Sequence, residues 1–507
     1  MQRFSTLVEL LAVGADDAIA LQAPGAKPLT YRGLRANQQK TLAALNSFGI
    51  GRQDRVAIVL PNGPEMASAF VCIATAATAA PLNPAYRADE FEFYLSDLKA
   101  KALVVEKGST SPALAIADKL KIQVLELTPS EEGAGAFTLT QVNPQPASAS
   151  FTPGPAAPED IGLILHTSGT TSRPKIVPLS NINICASGCN VRDNLQLTAA
   201  DRGLNIMPLF HIHGLIAGLL APLSAGSSIF CTPGFNALKF FGWMTEAKPT
   251  WYTAVPTMHQ TIVARAAQNH EVIAANPLRF IRSSSSSMPP QVISELEAAF
   301  KTPLIEAYGM TEAAHQMASN PLPPARRIPG SVGIAAGPEV AIMDTEGNFL
   351  ERGMTGEIVI RGPNVTAGYE NNPKANAEAY TNGWFRTGDQ GIMDVDGYLS
   401  ITGRLKEIIS RGGEKISPRE VDEILMDHPA VQQVVTFGIP HEKLGEEVGA
   451  AVVLREGTSA TEKELREFAA VRLADFKIPR KILFLEEIPK GATGKLQRIG
   501  LAAKLGL

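Results

Sequence analysis

The chain is poor in cysteine, which limits both disulfide bonding and zinc binding. It contains only 4 cysteines in 507 residues: Cys72, Cys185, Cys189 and Cys231. These are too few and too scattered for a disulfide framework, and no second cysteine pair or histidine cluster accompanies Cys185 and Cys189 to complete a zinc site. We therefore expect reduced thiols in a cytoplasmic protein.

Long apolar runs are also missing. The first eleven residues contain a short apolar stretch that Glu9 interrupts, without a long hydrophobic region or a cleavage site. Residues 67–82 are the most membrane-like stretch, but Ala and Thr dominate it and it runs into Pro81. It falls short of the roughly 20 strongly apolar residues that span a bilayer. The sequence predicts no signal peptide and no stable membrane insertion.

The chain also lacks a surplus of basic residues. Its formal net charge is -4, and no long basic run interrupts this balance. A polyanionic partner such as nucleic acid is therefore not expected. At 507 residues the chain exceeds the size at which a single core usually stops growing, so two or more domains are predicted.

Helical and extended patterns alternate along most of the chain. Up to about residue 130, and again after residue 175, buried apolar runs are separated by amphipathic stretches. This alternation predicts an α/β fold with two doubly wound, mostly parallel sheets. Residues 129–158, rich in Gly, Ala, Ser and Pro, are expected to form a surface connection.

The sequence pattern changes twice in the last third of the chain. From about residue 330 to 402, short extended runs punctuated by Gly favour a small β-barrel or meander. A charged segment begins near Arg404, and helical and extended patterns mix after it. We predict a domain boundary at 402–406, followed by a small α+β domain.

The stretch Thr167–Lys175 has the composition of a phosphate-binding loop. It reads Thr-Ser-Gly-Thr-Thr-Ser-Arg-Pro-Lys and follows the apolar run 161–165. Backbone N–H groups can converge on an anion where no bulky side chain intervenes, and the hydroxyls and Lys175 add further donors. The spacing is not that of the Walker motif. An ordinary Ser/Thr-rich surface loop is the alternative interpretation.

Three further segments carry polar groups next to predicted strands or in glycine loops. Glu306–Glu312 offers Tyr308 for base stacking, Thr311 as a phosphate donor and Glu312 as a metal ligand. Alternatively, Thr311 caps a helix.

Asp389 follows a glycine turn, and Arg404 comes at the predicted boundary, a pair suited to a ribose or a phosphate. Turn formation alone also explains Gly388-Asp389. Lys495 lies in the glycine-flanked loop 490–495 and could deliver a positive charge to a site, although such a lysine is often simply solvated.

Together and in this order, these segments resemble the acyl-adenylate-forming superfamily of acyl-CoA synthetases, luciferases and adenylation domains. The match extends from about residue 30 to residue 498. The resemblance implies an AMP-binding N-terminal domain over residues 1–402, a hinge at 403–406 and a mobile C-terminal lid domain over 407–507. It also implies ATP, Mg²⁺ and coenzyme A as cofactor and co-substrates.

The resemblance assigns roles to individual residues. Tyr308 would stack on adenine, Asp389 and Arg404 would bind the ribose, and Glu312 would hold Mg²⁺. The residues implied in ATP or AMP binding are Thr167, Ser168, Gly169, Thr170, Thr171, Lys175, Ala307, Tyr308, Thr311, Asp389 and Arg404. The residues implied in catalysis are Lys495, Glu312, Thr311 and His211.

The same resemblance implies two half-reactions. ATP converts the carboxylate into an acyl adenylate, and the thiol of coenzyme A then attacks the acyl group. The C-terminal domain is expected to rotate about Lys406 between the steps, exchanging the Lys495 face for a coenzyme A-side face. That second face comprises Gly412, Gly413, Glu414 and Lys415.

The predicted acyl pocket is unusually polar. Its residues are His211, His213, Ser283, Ser284, Ser285 and His315. Imidazoles and hydroxyls are costly to bury without polar partners, and a second carboxylate on the substrate would satisfy them. Histidines bonded to backbone or water are the alternative. Several segments, among them 207–215 and 360–365, look most like the oxalate–CoA ligase branch.

Other functions stay open at this stage. Malonate, succinate or a short or medium-chain fatty acid could be the acid, the acceptor could be a carrier protein, and the chain could be a non-catalytic nucleotide sensor. The protein could be a monomer or a homodimer.

Overall fold

A computed structural model describes residues 2–143, 151–167, 174–489 and 498–507. These residues divide into two compact units. The large unit comprises the chain up to Thr167, Lys175–Val340 and Ile360–Phe385. The small unit comprises Ala341–Val359 and Arg386–Leu507. The boundary at 402–406 and its hinge stay predictions.

The first sheet of the large unit has 7 strands with a parallel centre. Five parallel strands are flanked by one antiparallel strand at each edge. In spatial order the strands are Phe137–Gln141, Gln123–Pro129, Ala102–Glu106, Arg55–Val59, Thr78–Pro81, Ile161–Thr167 and Lys175–Ser180. Apolar runs such as Arg55–Val59 are buried because helices cover both faces of a parallel sheet.

The second sheet of the large unit has 9 strands, and six of them run parallel. In spatial order they are Ile334–Ala335, His315–Ser319, Leu304–Met310, Phe280–Ser283, Trp251–Ala254, Arg202–Asn205, Ser228–Cys231, Ile19–Gln22 and Leu29–Thr30. The aromatic side chains of Trp251, Tyr252 and Phe280 are fully buried in and beside this sheet. Burial of each such side chain contributes roughly 1.5–3 kcal/mol.

The helices of the large unit begin at recognisable capping residues. Ser180 caps its helix in a reciprocal capping box with Asn183, and prolines occupy the first turn of four α-helices of at least seven residues. The helices are Leu7–Leu11, Tyr31–Ser47, Pro64–Ala74, Ala88–Leu98, Ala113–Leu120, Asn181–Asn194, His213–Leu220, Ala221–Ser224, Phe240–Ala247, Pro256–Val263, Ala267–Asn269, His270–Ala275, Pro290–Phe300, Thr311–Ala313 and Pro373–Ala379.

The small unit combines strands and helices, as predicted for the C-terminal domain. Its sheet pairs Glu414–Ile416, Ile409–Arg411, Gly445–Leu454 and Val431–His441 in that order, and Lys481–Phe484 pairs with Gly445–Leu454. Its helices are Leu405–Glu407, Pro418–Met426, Glu462–Ala470, Asp475–Lys477 and Leu501–Lys504.

Five short strands occupy the stretch for which a small barrel is predicted. They are Glu339–Met343, Thr355–Arg361, Tyr380–Thr381, Trp384–Met393 and Leu399–Arg404. The predicted fold class, two α/β sheets with a small β region and a terminal α+β region, is confirmed.

One local prediction differs from the structure. Phe137–Gln141 is a strand within the predicted surface connection, because it pairs as an edge strand with Gln123–Pro129. Lys175–Ser180 returns antiparallel beside Ile161–Thr167. Residues 213–224 are helical, as the π-helix His213–Leu220 followed by the α-helix Ala221–Ser224. In the described part of the chain, no helix is long and apolar enough to cross a membrane.

Candidate active site

Four neighbouring strands of the nine-stranded sheet bring polar side chains to one region. Thr253 pairs with Arg282 in the parallel register, and Arg282 pairs with Ile305 on the next strand. The antiparallel strand that follows places His315 opposite Met310. Ligands of open α/β sheets bind at the carboxyl ends of parallel strands. The topology therefore collects Thr253, Arg282 and His315 where a ligand site is expected.

The two histidines predicted for the acyl pocket lie against each other. The rings of His213 and His315 stack with centroids 4.9 Å apart and an interplanar angle of 18°. His213 begins the π-helix, and its ring contacts Ser285 Oγ through Nδ1 at 3.0 Å and Thr253 Oγ1 through Nε2 at 2.6 Å. π-helical turns are often found at functional sites. The structure thus brings together three predicted residues, His213, His315 and Ser285.

Arg282 is the functional candidate that sequence reasoning missed. Its guanidinium is fully buried and donates from Nη2 to His315 Nε2 at 3.1 Å and to Gln316 Oε1 at 3.0 Å. Its Nη1 lies 3.3 Å from His213 Nε2. Among the described residues no carboxylate forms an ion pair with it, and burial lowers the pKa of Arg282 to about 9. A buried cation of this kind is stabilised when an anion binds beside it.

Unsatisfied polar atoms occur at Arg282 and at residues next to it. Among the described residues, the buried atoms Arg282 Nε, Ser283 Oγ and Gln316 Nε2 have no hydrogen-bond partner. Buried polar atoms normally find a partner, so three neighbouring exceptions indicate a place where a polar ligand or water completes the bonding. This cluster is more informative than the serine row alone.

The histidines beside Arg282 are held neutral. Burial lowers the pKa of both His213 and His315 well below the ordinary value, and the nearby Arg282 charge lowers it further. His211 acts in the same direction on both rings. At neutral pH neither ring therefore adds a positive charge to that of Arg282.

The remaining predicted pocket residues occupy different positions. Ser284 donates to the Ala307 carbonyl at 2.9 Å and so holds the backbone of the next strand. Ser285 is half-buried with φ of 75°, in the left-handed region that a non-glycine residue rarely adopts. His211 is half-buried, and its Nδ1 accepts from the His213 backbone N–H at 3.4 Å.

Glu312 and Lys175, the last residue of the predicted phosphate loop, share a neighbour, Tyr369. The Tyr369 hydroxyl donates to Glu312 Oε1 at 2.9 Å, and Lys175 Nζ lies 4.3 Å from the centre of the Tyr369 ring. Thr167 pairs with Lys175 across the antiparallel ladder. Tyr369 was not predicted, because it is 57 residues from Glu312 along the chain and belongs to no recognised motif.

The strand Leu304–Met310 carries the predicted adenine-binding residues. Ala307 and Tyr308 lie on this strand and are buried, and Thr311 begins the short helix Thr311–Ala313. Gly309 is required between them, because an added Cβ would come within 1.8 Å of the His315 carbonyl oxygen. This close approach links the Tyr308 strand directly to His315.

In the small unit, Asp389 and Arg404 are brought together as predicted. They pair across the antiparallel ladder, and Arg404 Nε lies 2.9 Å from Asp389 Oδ1. Lys406 follows in the helix Leu405–Glu407. The predicted coenzyme A-side residues form an exposed hairpin turn, in which Gly412 and Gly413 have φ of 59° and 95° and Lys415 donates to Ser410 Oγ at 2.6 Å. Glycine permits these positive φ angles.

Several predicted residues lie outside the described part of the chain. They are Ser168, Gly169, Thr170, Thr171 and Lys495. Arg498 is the first residue described after position 489. It forms an ion pair with Asp422, and its Nε lies 3.7 Å from Glu407 Oε2.

The sequence also matches two family models. Residues 11–370 match the AMP-binding enzyme model, and residues 420–495 match the AMP-binding enzyme C-terminal domain. The chain belongs to the AMP-binding enzyme family. This confirms the superfamily resemblance drawn from the motifs.

Individual members of the AMP-binding family are similar over the whole chain. The oxalate–CoA ligase of Arabidopsis thaliana is 46% identical over 97% of both chains. The oxalate–CoA ligase of Saccharomyces cerevisiae is 43% identical and covers 88% of this chain and 86% of its own. The ATP-bound crystal structure of MatB from Rhodopseudomonas palustris superposes with a TM-score of 0.87 at 28% identity, covering 99% of both chains.

The buried histidines predict a pH dependence of stability that one substitution can isolate. Burial lowers the pKa of His259 to about 4, from an ordinary value near 6.5. Between these values the unfolded chain binds a proton that the folded protein does not, so stability falls as the pH falls. From pH 7 to pH 5 this histidine alone should cost about 2 kcal/mol of unfolding free energy.

Chemical denaturation of the wild type and His259→Gln at both pH values measures this difference. The variant should lose about 2 kcal/mol less than the wild type on acidification, whatever its stability at pH 7. The carboxylates titrate equally in both proteins, so they cancel. An identical loss in the two proteins would show that His259 is not held neutral.

Proposed function

We propose that this chain is an ATP-dependent acyl-CoA synthetase that converts oxalate into oxalyl-CoA. One oxalate carboxylate attacks the α-phosphorus of ATP, which forms oxalyl adenylate and releases pyrophosphate. The coenzyme A thiol then attacks the acyl carbon, and AMP and a proton leave. Membership of the AMP-binding family and the similarity to two oxalate–CoA ligases support this activity.

The observation that carries the choice of acid is the buried Arg282. Its guanidinium has the two neutral histidines, Thr253 and Gln316 as partners, and no carboxylate among the described residues. The substrate's second carboxylate would supply the missing negative charge, and unpaired donors around it would bind its oxygens. Oxalate has two carboxylates and no apolar part, which matches a cluster built of a guanidinium, imidazoles and hydroxyls.

We assign the nucleotide roles to the predicted residues. Tyr308 stacks on adenine beside Ala307, Thr311 contacts the α-phosphate, and Asp389 with Arg404 binds the ribose hydroxyls. The phosphate loop comprises Thr167, Ser168, Gly169, Thr170, Thr171 and Lys175. The position of Lys175 supports its role. Its ammonium group lies over the face of the Tyr369 ring, and this contact orients it.

A single buried carboxylate fits the Mg²⁺ that the family uses. Among the described residues no group of three or more His, Cys, Asp or Glu side chains could enclose a metal. Mg²⁺ is usually held by one or two carboxylates together with substrate phosphates. Glu312, buried and held by the Tyr369 hydroxyl, meets that need. The bound ion would neutralise phosphate charge.

The catalytic and coenzyme A-side roles follow the resemblance. Lys495 stabilises charge during adenylate formation, Lys406 is the hinge, and His211 lies at the edge of the acyl pocket. The residues Gly412, Gly413, Glu414 and Lys415 serve the thioester step. All four cysteines are buried free thiols, which supports a reducing, cytoplasmic location.

A panel of carboxylic acids tests the proposed substrate. AMP release that depends on ATP and coenzyme A should be fastest with oxalate. Acetate, malonate, succinate and a medium-chain fatty acid should each give a kcat/KM lower by at least about 100-fold, because a site built around polar groups rejects analogues that leave them unpaired.

A higher rate with any other acid in the panel would assign the enzyme to that acid. Replacement of coenzyme A by a phosphopantetheinyl carrier protein distinguishes a coenzyme A ligase from an enzyme that loads a carrier protein. In the second case only the thiol of the carrier protein would be acylated. No pyrophosphate exchange with every acid would favour a nucleotide sensor.

Substitution of Lys495 tests the division between the two half-reactions. Lys495→Ala should lower pyrophosphate release by about 100-fold or more, because a charge that stabilises the transition state is removed. Thiolysis of supplied oxalyl adenylate by coenzyme A should stay within about twofold of the wild type.

Lys504→Ala, at an exposed lysine of the C-terminal helix, is the matched control and should affect neither step. Equal loss of both half-reactions in Lys495→Ala would refute the assignment of Lys495 to adenylation alone.

A further inference from the structure

Arg282 makes one-directional hydrogen bonds to the two stacked histidines. Its Nη2 lies 3.1 Å from His315 Nε2, and its Nη1 lies 3.3 Å from His213 Nε2. A guanidinium can only donate hydrogen bonds. Each Nε2 that faces it is therefore bonded when it is an acceptor, which means that it carries no proton. The geometry thus distinguishes the two neutral tautomers of each ring.

For His315 the consequence is direct. With Nε2 accepting from Arg282, the single proton of the neutral ring lies on Nδ1. That nitrogen faces the backbone of Gly309, where an added Cβ would come within 3.2 Å of it. The absence of a side chain at residue 309 keeps the space beside this N–H open. His315 therefore presents an N–H donor next to the Tyr308 strand.

For His213 the proton position follows from a chain of bonds. Thr253 Oγ1 accepts from Arg282 Nη1 at 3.4 Å and lies 2.6 Å from His213 Nε2. Because His213 Nε2 also faces Arg282 and is bonded to it only when unprotonated, the Thr253 hydroxyl is the donor of this short bond. The His213 proton then lies on Nδ1 and is donated to Ser285 Oγ at 3.0 Å. Because Ser285 Oγ accepts this bond, its O–H is left to donate outward. The opposite tautomer would turn a ring N–H toward Arg282, donor against donor.

The surroundings keep both rings uncharged. Burial is the largest cause that lowers the pKa of both rings; His315, Arg282, His211 and His259 lower the pKa of His213 further, and Arg282 and His211 lower that of His315. Among the described residues, no carboxylate is a leading cause of the pKa shift at either histidine. Neutral rings are required, because an imidazolium has no acceptor nitrogen to offer Arg282.

We propose that Arg282 is a positioning residue that fixes His213 and His315 as neutral Nδ1–H tautomers. In this arrangement the His315 Nδ1–H and the Ser285 O–H are the two donors left to bind the carboxylate of the substrate that does not react. The second part rests on the proposed function. The first part, the tautomeric state, is a property of the protein without substrate.

Two-bond ¹H–¹⁵N correlation spectra of protein labelled with ¹⁵N-histidine test the tautomers directly. The His213 and His315 signals are assigned by their loss in His213→Gln and His315→Gln. In the substrate-free wild type at pH 7, both rings should show a protonated Nδ1 and an unprotonated Nε2. Either ring with a protonated Nε2 would overturn the inference.

Arg282→Gln tests whether Arg282 fixes the tautomers. Unlike a guanidinium, the side-chain carbonyl of Gln can accept a hydrogen bond from an Nε2–H of either ring. At least one of the two rings should then shift to the Nε2–H tautomer or to a mixture. The KM for oxalate should rise by about tenfold to 100-fold while the KM for ATP stays within about twofold, since only carboxylate donors are misplaced. Unchanged tautomers and an unchanged KM for oxalate would contradict the positioning role.

Arg192→Gln is the control for loss of a buried arginine. Arg192 is also buried and donates to the Ser224 and Gln2 carbonyl oxygens, away from the histidines, so neither readout should change. If Arg282→Gln does not fold, the wild-type spectrum decides the tautomers by itself. If both rings are Nδ1–H tautomers but the enzyme prefers another acid, the proposed substrate is wrong and the tautomer assignment is still confirmed.

Discussion

The burial of the Arg282 guanidinium without a carboxylate partner is the constraint on which the polar site depends. Removing a charge from water costs several kcal/mol, and here neutral groups provide the only compensation in the described structure. The same charge keeps the His213 and His315 rings neutral and decides which of their nitrogens accepts. The second carboxylate of a dianionic substrate therefore supplies the negative charge that the Arg282 guanidinium lacks in the described structure.

The fold supplies the cluster from elements that are distant in sequence. Parallel strands deliver Thr253 and Arg282 side by side, the antiparallel return strand adds His315, and the π-helix contributes His213. Each of the four residues is buried and lies on an element held by backbone ladders or helical hydrogen bonds. Pre-organisation of this kind allows a site to recognise a small ion, because little conformational entropy remains to be lost on binding.

The fold class and several residues of the candidate site can be predicted from the sequence, because motifs at strand ends carry their own chemistry. The motifs pair Asp389 with Arg404 and group His213, His315 and Ser285, and in the structure these residues lie in contact. Arg282 was not predicted because a single Arg in the short buried strand Phe280–Ser283 gives no periodic signal, although an Arg is rarely buried in such a strand. Tyr369 and the edge strand Phe137–Gln141 escaped because their roles arise only from contacts between distant segments.

The central claim is that the site recognises the charge of the second carboxylate. ATP–pyrophosphate exchange measured with oxalate and with oxamate tests it most directly, since oxamate replaces one carboxylate by a neutral amide of nearly the same size. The account predicts that oxalate supports exchange at least about 100-fold more efficiently, because the amide leaves Arg282 uncompensated and brings N–H groups toward its donors. Equal exchange with the two acids would contradict it.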